Sequence, residues 1–377
     1  MKVWILIFVC MFSMPLLVAV LHFRMRKGQI LKIRQDYVKN ARYFGQSFSS
    51  LVEKALPEMK NGMIMLSRQE KVLETDGKQE FVQPEIEDLV IARNTIFCPQ
   101  QEDLHFQKEI YSEKDALFVK ENIRLRAVYS KKRLLFGNKI RLLRWADAEH
   151  AVVVYDECDL GERVSSGEQL VIGFDNIFHS LYAPVIRLGQ RPEEPDRFME
   201  ERDPRIFRMP VMNSHEYNRH YIDDDMVTES GTVPYTIISR GDIKVIEDII
   251  LQGDIHSDGA VRIMENASVL GNIFAENDIL LEKNATVLGN IFTQGNIIFE
   301  EDASAGQPDK IISVVARGTI TFYGSNYVYG YVVSEGGGKI LKSDREISGG
   351  YCFPREPVHE EKITFHDLSE YENVDLQ

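Results

Sequence analysis

The chain has 377 residues, 44% of them hydrophobic, enough apolar material for a sizeable core and too much for wholesale disorder. Its formal charge of −14 is unevenly spread, because residues 1–42 hold eight Lys/Arg against one Asp and the remainder is strongly acidic. An acidic body argues against nucleic acid as a partner.

Residues 4–23, "WILIFVCMFSMPLLVAVLHF", are apolar and almost uncharged, and a helix of that length rises ~30 Å, the thickness of a bilayer core. The expectation is a transmembrane anchor. A cleaved signal peptide would show a shorter apolar run and a small-x-small site after it. Lys2 alone precedes the span, whereas Arg24, Arg26, Lys27, Lys32 and Arg34 follow it, so the positive-inside bias places the body in the cytoplasm, on a single-pass protein of the inner membrane. Cys10 lies in the span but lacks the small residues that precede a bacterial lipid-attachment cysteine. The other cysteines, Cys98, Cys158 and Cys352, have neither CxxC nor zinc-ligand spacing and read as reduced and structural.

Residues 30–60 mix apolar and charged positions at helical spacing up to Pro57, which predicts a juxtamembrane amphipathic helix or pair of helices, lying on anionic lipid or serving as a spacer. "DLVIARNTIF" (88–97) and "ALFVKENIRL" (116–125) read as irregular first coils of a larger repeat. From Val128 the repeat is explicit: Val128, Leu134, Ile140, Ala146, Val152, Cys158, Val164, Leu170, Asn176 and Tyr182 step by six, with further apolar residues two positions on. In that column Cys158 is a small core residue rather than a reactive thiol.

Residues 190–234 lose the period and gain Pro and charge, as an insertion or linker does. They contain His215, Glu216, His220, Asp223, Asp224 and Asp225. Histidines at i and i+5 point ~140° apart on a helix, so no metal site is assigned.

The period then returns in its cleanest form. Ile237, Ile243, Ile249, Ile255, Val261, Ala267, Ile273, Ile279, Ala285, Ile291, Ile297 and Ala303 are small or aliphatic, and Val245, Leu251, Ile263, Val269, Leu281, Val287 and Phe299 come two residues on. This is the period-2 pattern of short strands with one buried face, three strands to an 18-residue coil. Asp248, Asn266, Asn284 and Asp302 mark one corner, and Gly253, Gly271 and Gly289 mark another, where positive φ is the expected reason for glycine. After Ala305 the register slips by five residues at "GQPDK" and resumes through Val314, Ile320, Val328 and Val332. Gly336–Gly338 reads as a loop, the stack ends near Ile340, and the tail from 346 is acidic.

The expected architecture is therefore all-β, a parallel β-helix of about 18 residues per coil with an N-terminal transmembrane helix. Its regions are an anchor (1–28), a juxtamembrane region (29–85), divergent coils (86–189), the insertion (190–234), regular coils (235–345) and the tail (346–377). Six-residue strands also describe hexapeptide-type acyltransferases, in which His256 would be the candidate base. No Walker loop, GxSxG or paired-carboxylate signature is present, so no catalytic, cofactor-binding or metal residue is assigned and no cofactor is expected.

The string "GDIxSxGxVRIxENAxVxGNIxAxxDIxLxxNAxVxGNI", residues 253–291, resembles the bactofilins, polymer-forming cytoskeletal proteins of bacteria. The resemblance covers about residues 237–305. It implies a right-handed triangular β-helix that polymerises end to end without a nucleotide and serves as a membrane-associated scaffold, with self-association or protein partners. The span, the long N-terminal region, the divergent coils and the insertion depart from that compact pattern. By stickiness of strand edges, Val328 and Val332 are expected near an open, associating end, the alternative being ends capped by residues 60–85 and the segment after Ile340.

Overall fold

A computed structural model describes residues 40–75, 81, 83–97, 103–190, 219–220, 231–308 and 310–342, together with the isolated helical positions Trp4 and Met14. The chain divides into two units, Met1–Asn40 and Ala41–Gln377. No helix among the described residues is long and apolar enough to cross a membrane, and the expected anchor at 4–23 lies outside them apart from Trp4 and Met14.

The second unit is a β-solenoid of about twelve turns at ~18 residues per coil, in two halves. In the second half, residues 231–342, Ile237 pairs with Ile255, Ile255 with Ile273 and Ile273 with Ile291, all in parallel. Each inward aliphatic side chain thus lands on its counterpart one coil on, and both leave water. Every inward position expected from Ile237 to Ala303 is buried. Across the five-residue slip, Ile291 pairs with Val314 and Ala305 with Val328, so the extra residues bulge out at Gln307–Lys310 and the stack continues.

The two corner columns work differently. Asp248, Asn266, Asn284 and Asp302 have φ of 60°, 59°, 59° and 59°, the left-handed conformation that short polar side chains tolerate. Gly253, Gly271 and Gly289 are not left-handed, contrary to expectation. A Cβ on Gly271 would lie 2.3 Å from the Gly253 carbonyl oxygen, and one on Gly289 2.2 Å from that of Gly271. Glycine is needed here for backbone-to-backbone approach of successive coils, not for its φ.

The first half, residues 63–190, has the same three-sided coil, with Val128 paired to Ala146 and Ala146 to Val164. The expected inward column is buried from Val128 to Asn176. Asn176 is a polar member that satisfies itself: its Oδ1 accepts from the Cys158 amide at 2.7 Å and its Nδ2 donates to the Tyr155 carbonyl at 2.8 Å. Tyr182 breaks the column, because Val164 pairs with Leu181 instead; Leu181 and Ala183 point inward and Tyr182 outward.

The helical periodicity expected over residues 30–60 becomes, in its described part, a helix, α1 (Tyr43–Ala55), followed by a 3-10 turn, Leu56–Glu58, that contains Pro57. Phe44, Phe48, Val52 and Ala55 fall on one face of α1 and pack against the outside of the first half, on Ile91, Tyr111, Ala127, Tyr129 and Trp145. The apolar face of α1 is thus covered by the solenoid, while the basic start of the region, residues 30–39, lies outside the described residues. The strand beneath its far end, Leu89–Ala92, is buried at every position because it is covered on both sides.

The halves meet end to end. The closing strand of the first half, Asn176–Leu188, runs antiparallel to the closing strand of the second, Asn326–Leu341, from Asn176 opposite Ile340, through Leu181 opposite Val332, to Leu188 opposite Asn326. Each strand is long enough to turn the corners, so the ladder wraps around the coil. Two sequence expectations are corrected here. Val328 and Val332 are not at an open end: they face Ile186 and Leu181, and all four are fully buried. Gly336–Gly338 is not a loop but part of the closing strand, where a Cβ on Gly338 would lie 2.1 Å from the Phe178 ring. A coil end with unpaired edges needs a partner, and this chain supplies one from its own other half.

Candidate functional site

The junction determines which ends of the rod are outermost. Both halves turn their last coil inward and their first coil outward, and residues 191–230 connect Gln190 at the junction with Gly231 at the outer end of the second half. Among the described residues, Ile243–Val245 pairs only with Val261–Ile263, Glu85–Ile86 only with His105–Phe106, and Ile96–Phe97 only with Ala116–Leu117. In a parallel strand a residue's N–H and C=O point the same way and alternate residues serve opposite neighbours. Ile243 donates its amide inward to the Ala260 carbonyl at 2.8 Å, so Lys244 presents its N–H and C=O at the outer edge.

The junction also aligns the sides of the two halves. One outward column runs Ala127, Trp145, Arg163 through the first half and, from Ser180 opposite Val333, continues as Val333, Val315, Phe292, Phe274, His256 and Ile238. Over the first half α1 covers this side. Its start is fastened by Arg42, whose Nε and Nη2 donate to the two Asp147 carboxylate oxygens at 2.9 and 3.0 Å, while Ser165 donates to Oδ1 at 2.7 Å. Burial pushes the Asp147 carboxyl up against the opposing pull of Arg42; the Arg42 guanidinium, also disfavoured by burial, ends above its ordinary value because Asp147 outweighs that cost. Gly45 makes the approach possible, since a Cβ there would lie 2.4 Å from the Asp147 Cβ. Lower on the helix Lys131 pairs with Glu53 at 2.7 Å, which raises the lysine pKa. The shallow depression beside α1, about 380 Å³, is lined by Glu53 and Lys131 together with Gln46, Ser50, Tyr129 and His150.

Over the second half no described segment covers the same side. His256 and Phe274 stack with ring centroids 4.8 Å apart, and Phe274 and Phe292 at 5.5 Å. Phe274 remains 38% exposed. One edge of the stripe is a polar ladder, in which the Asn272 amide donates to Asp254 at 2.7 Å and the Asn290 amide to Asn272 at 2.9 Å. The other edge is a row of exposed corner residues, Arg240, Asp258, Glu276, Gln294, Arg317 and Glu335.

His256, weighed from sequence as a general base, is exposed on this open side against Phe274, and among the described residues no carboxylate is hydrogen-bonded to its ring. His215, Glu216, Asp223, Asp224 and Asp225 lie outside the described residues, as does the side chain of His220. No group of three potential metal-binding side chains occurs among the described residues. Cys158 sits in the core with its thiol pushed up to about 12 by burial, as a small packing residue would be. Sequence reasoning missed the Arg42–Asp147 fastening and the junction, because both join residues more than a hundred positions apart. Comparison of the chain with protein families, with curated proteins and with solved structures finds no match.

Proposed function

We propose that this chain is a noncatalytic, membrane-anchored scaffold: a right-handed β-helical rod, held at the cytoplasmic face of a bacterial inner membrane through residues 4–23, that associates end to end. The single observation carrying this reading is the antiparallel junction between Asn176–Leu188 and Asn326–Leu341, where two solenoid ends of this sequence associate by backbone pairing in three stretches separated by two register shifts. Strands that pair on one side only among the described residues lie at the outer ends and offer the same chemistry to another copy. The resemblance of residues 253–291 to bactofilins supports the cytoskeletal assignment and the right-handed winding, and the basic flank from Arg24 to Arg34 supports the orientation.

Electron microscopy of the full chain in detergent or vesicles tests the assembly. The expected result is rods joined end to end, shortened by Lys244→Pro, which removes the outward amide of the edge strand while sparing the inward ladder. Single rods at every concentration would contradict end-to-end association. Protease added outside intact cells is expected to leave the body whole; its digestion would contradict the cytoplasmic placement.

A further inference from the structure

We infer that the open aromatic side of the second half is a face on which a second copy of this chain docks, with the two rods antiparallel. The stripe continues a surface that α1 covers in the first half, so the chain itself shows that this side of the solenoid takes an apolar cover. The charge row along its edge identifies the cover. Read by coil, the row is Arg240, Asp258, Glu276, Gln294, Arg317, Glu335, and beside it the stripe is Ile238, His256, Phe274, Phe292, Val315, Val333.

A two-fold axis lying in the interface, parallel to the strands and between the Phe274 and Phe292 rows, keeps each edge against its own edge and reverses the coil order. Arg240 then meets Glu335 of the second copy, Asp258 meets Arg317, and Glu276 meets the neutral Gln294. No like charges oppose. The stripe is matched by the same operation: Phe274 faces Phe292, His256 faces Val315 and Ile238 faces Val333. A parallel arrangement in the same register, about an axis along the rod, would exchange the two edges, setting Asp258 toward Asp254 and leaving Arg240 and Arg317 opposite Thr236 and Ser313 with no carboxylate to meet, so the pattern selects the antiparallel pair. Six rows at about 4.8 Å span ~24 Å, the scale of a small interface, which sets the expected dissociation constant in the micromolar range. This lateral pairing uses neither end of the rod and stands apart from the end-to-end reading.

Sedimentation of the full chain in a nonionic detergent, across a concentration series, tests it. The wild type is expected to form dimers, and Phe274→Asp to weaken the dimer at least tenfold. Arg317→Asp sets Asp against Asp258 and is expected to weaken it about tenfold, whereas Asp258→Arg combined with Arg317→Asp restores affinity to within about twofold of wild type. Rescue by the double exchange cannot come from misfolding. Species longer than the dimer that persist in Phe274→Asp report the ends, not this face. A wild-type chain without dimers, or a double exchange as weak as Arg317→Asp alone, would overturn the proposal.

Discussion

The same side of the solenoid is finished in two ways. In the first half it carries Tyr111, Tyr129 and Trp145 beneath α1, with a buried ion pair at the helix start; in the second it carries His256, Phe274 and Phe292 with no described segment over them. Covering a side frees its outward positions to be large and apolar, which erases alternation, while leaving it open keeps alternation intact. The regular repeat between Ile237 and Ala303 is therefore the mark of a strand with one wet side, and the irregular repeat before it the mark of a second, local packing layer.

The strongest way to break the comparison is to corrupt the core that both halves share. Ile273 is fully buried, and Ile273→Asp places an unpaired carboxylate between Ile255 and Ile291, with an expected loss of several kcal/mol in chemical denaturation, whereas exposed Lys283→Gln stays within about 0.5 kcal/mol. Equal losses would show that the inward column is misassigned. The next largest effect belongs to the first half alone. Asp147→Ala leaves the nearly buried Arg42 charge without its carboxylate and is expected to cost about 3 kcal/mol and to expose the α1 amides to hydrogen exchange. Protection over Ile255–Phe299 should not change, since solenoid repeats depend mainly on their neighbours.

Gly271→Ala sharpens the contrast between the two corner columns. A Cβ collides with the Gly253 carbonyl, so a loss of about 2 kcal/mol is expected. Asn266→Gly, at a left-handed corner, relieves φ strain but adds unfolded-state entropy, and its effect should be within about 1 kcal/mol. Similar losses at both sites would contradict the assignment of one column to contact and the other to conformation.

The smallest effect is in pH. Lys131 holds Glu53 below its ordinary pKa, Lys108 and then Arg68 do the same for Glu70, and Arg133 does so for Asp115; Glu70 and Asp115 are in the first half and Glu53 is on the helix packed against it. A carboxylate whose folded pKa is depressed stabilises the fold above its unfolded value, near 4, and loses that contribution as pH falls through the folded value. Exchange protection of residues 105–136 should accordingly decline slightly below about pH 4, with the second half as the internal reference. A decline on raising the pH from 4 to 6 would have the wrong sign.

Much of the solenoid can be read from the sequence because its determinants are local and repeated. Ile255, Ile273 and Ile291 announce their own stacking, and the five-residue slip after Ala305 is visible in the sequence itself. The Asp248 column was legible as a corner for the same reason, its left-handed φ being shown by the structure, whereas the glycine column suggested positive φ because composition reports that a Cβ is forbidden without saying what forbids it. Tyr182 misled because one residue fewer per coil reverses a strand's sides, a change that leaves no mark in composition. The junction was hidden more deeply. Val332 shows an inward position, but nothing near it says that the covering strand lies in the first half and runs the other way.

That junction is the account's central claim, and a cross-link tests it most directly. Ser180 and Val333 are opposite each other across the closing strands. With Cys10, Cys98 and Cys352 replaced by serine, the full chain carrying Ser180→Cys and Val333→Cys is expected to form an intrachain disulfide under mild oxidation, migrating as a compacted monomer on a nonreducing gel at every protein concentration. Two thiols that stay open to maleimide under the same oxidation, or that link only between chains, would contradict it.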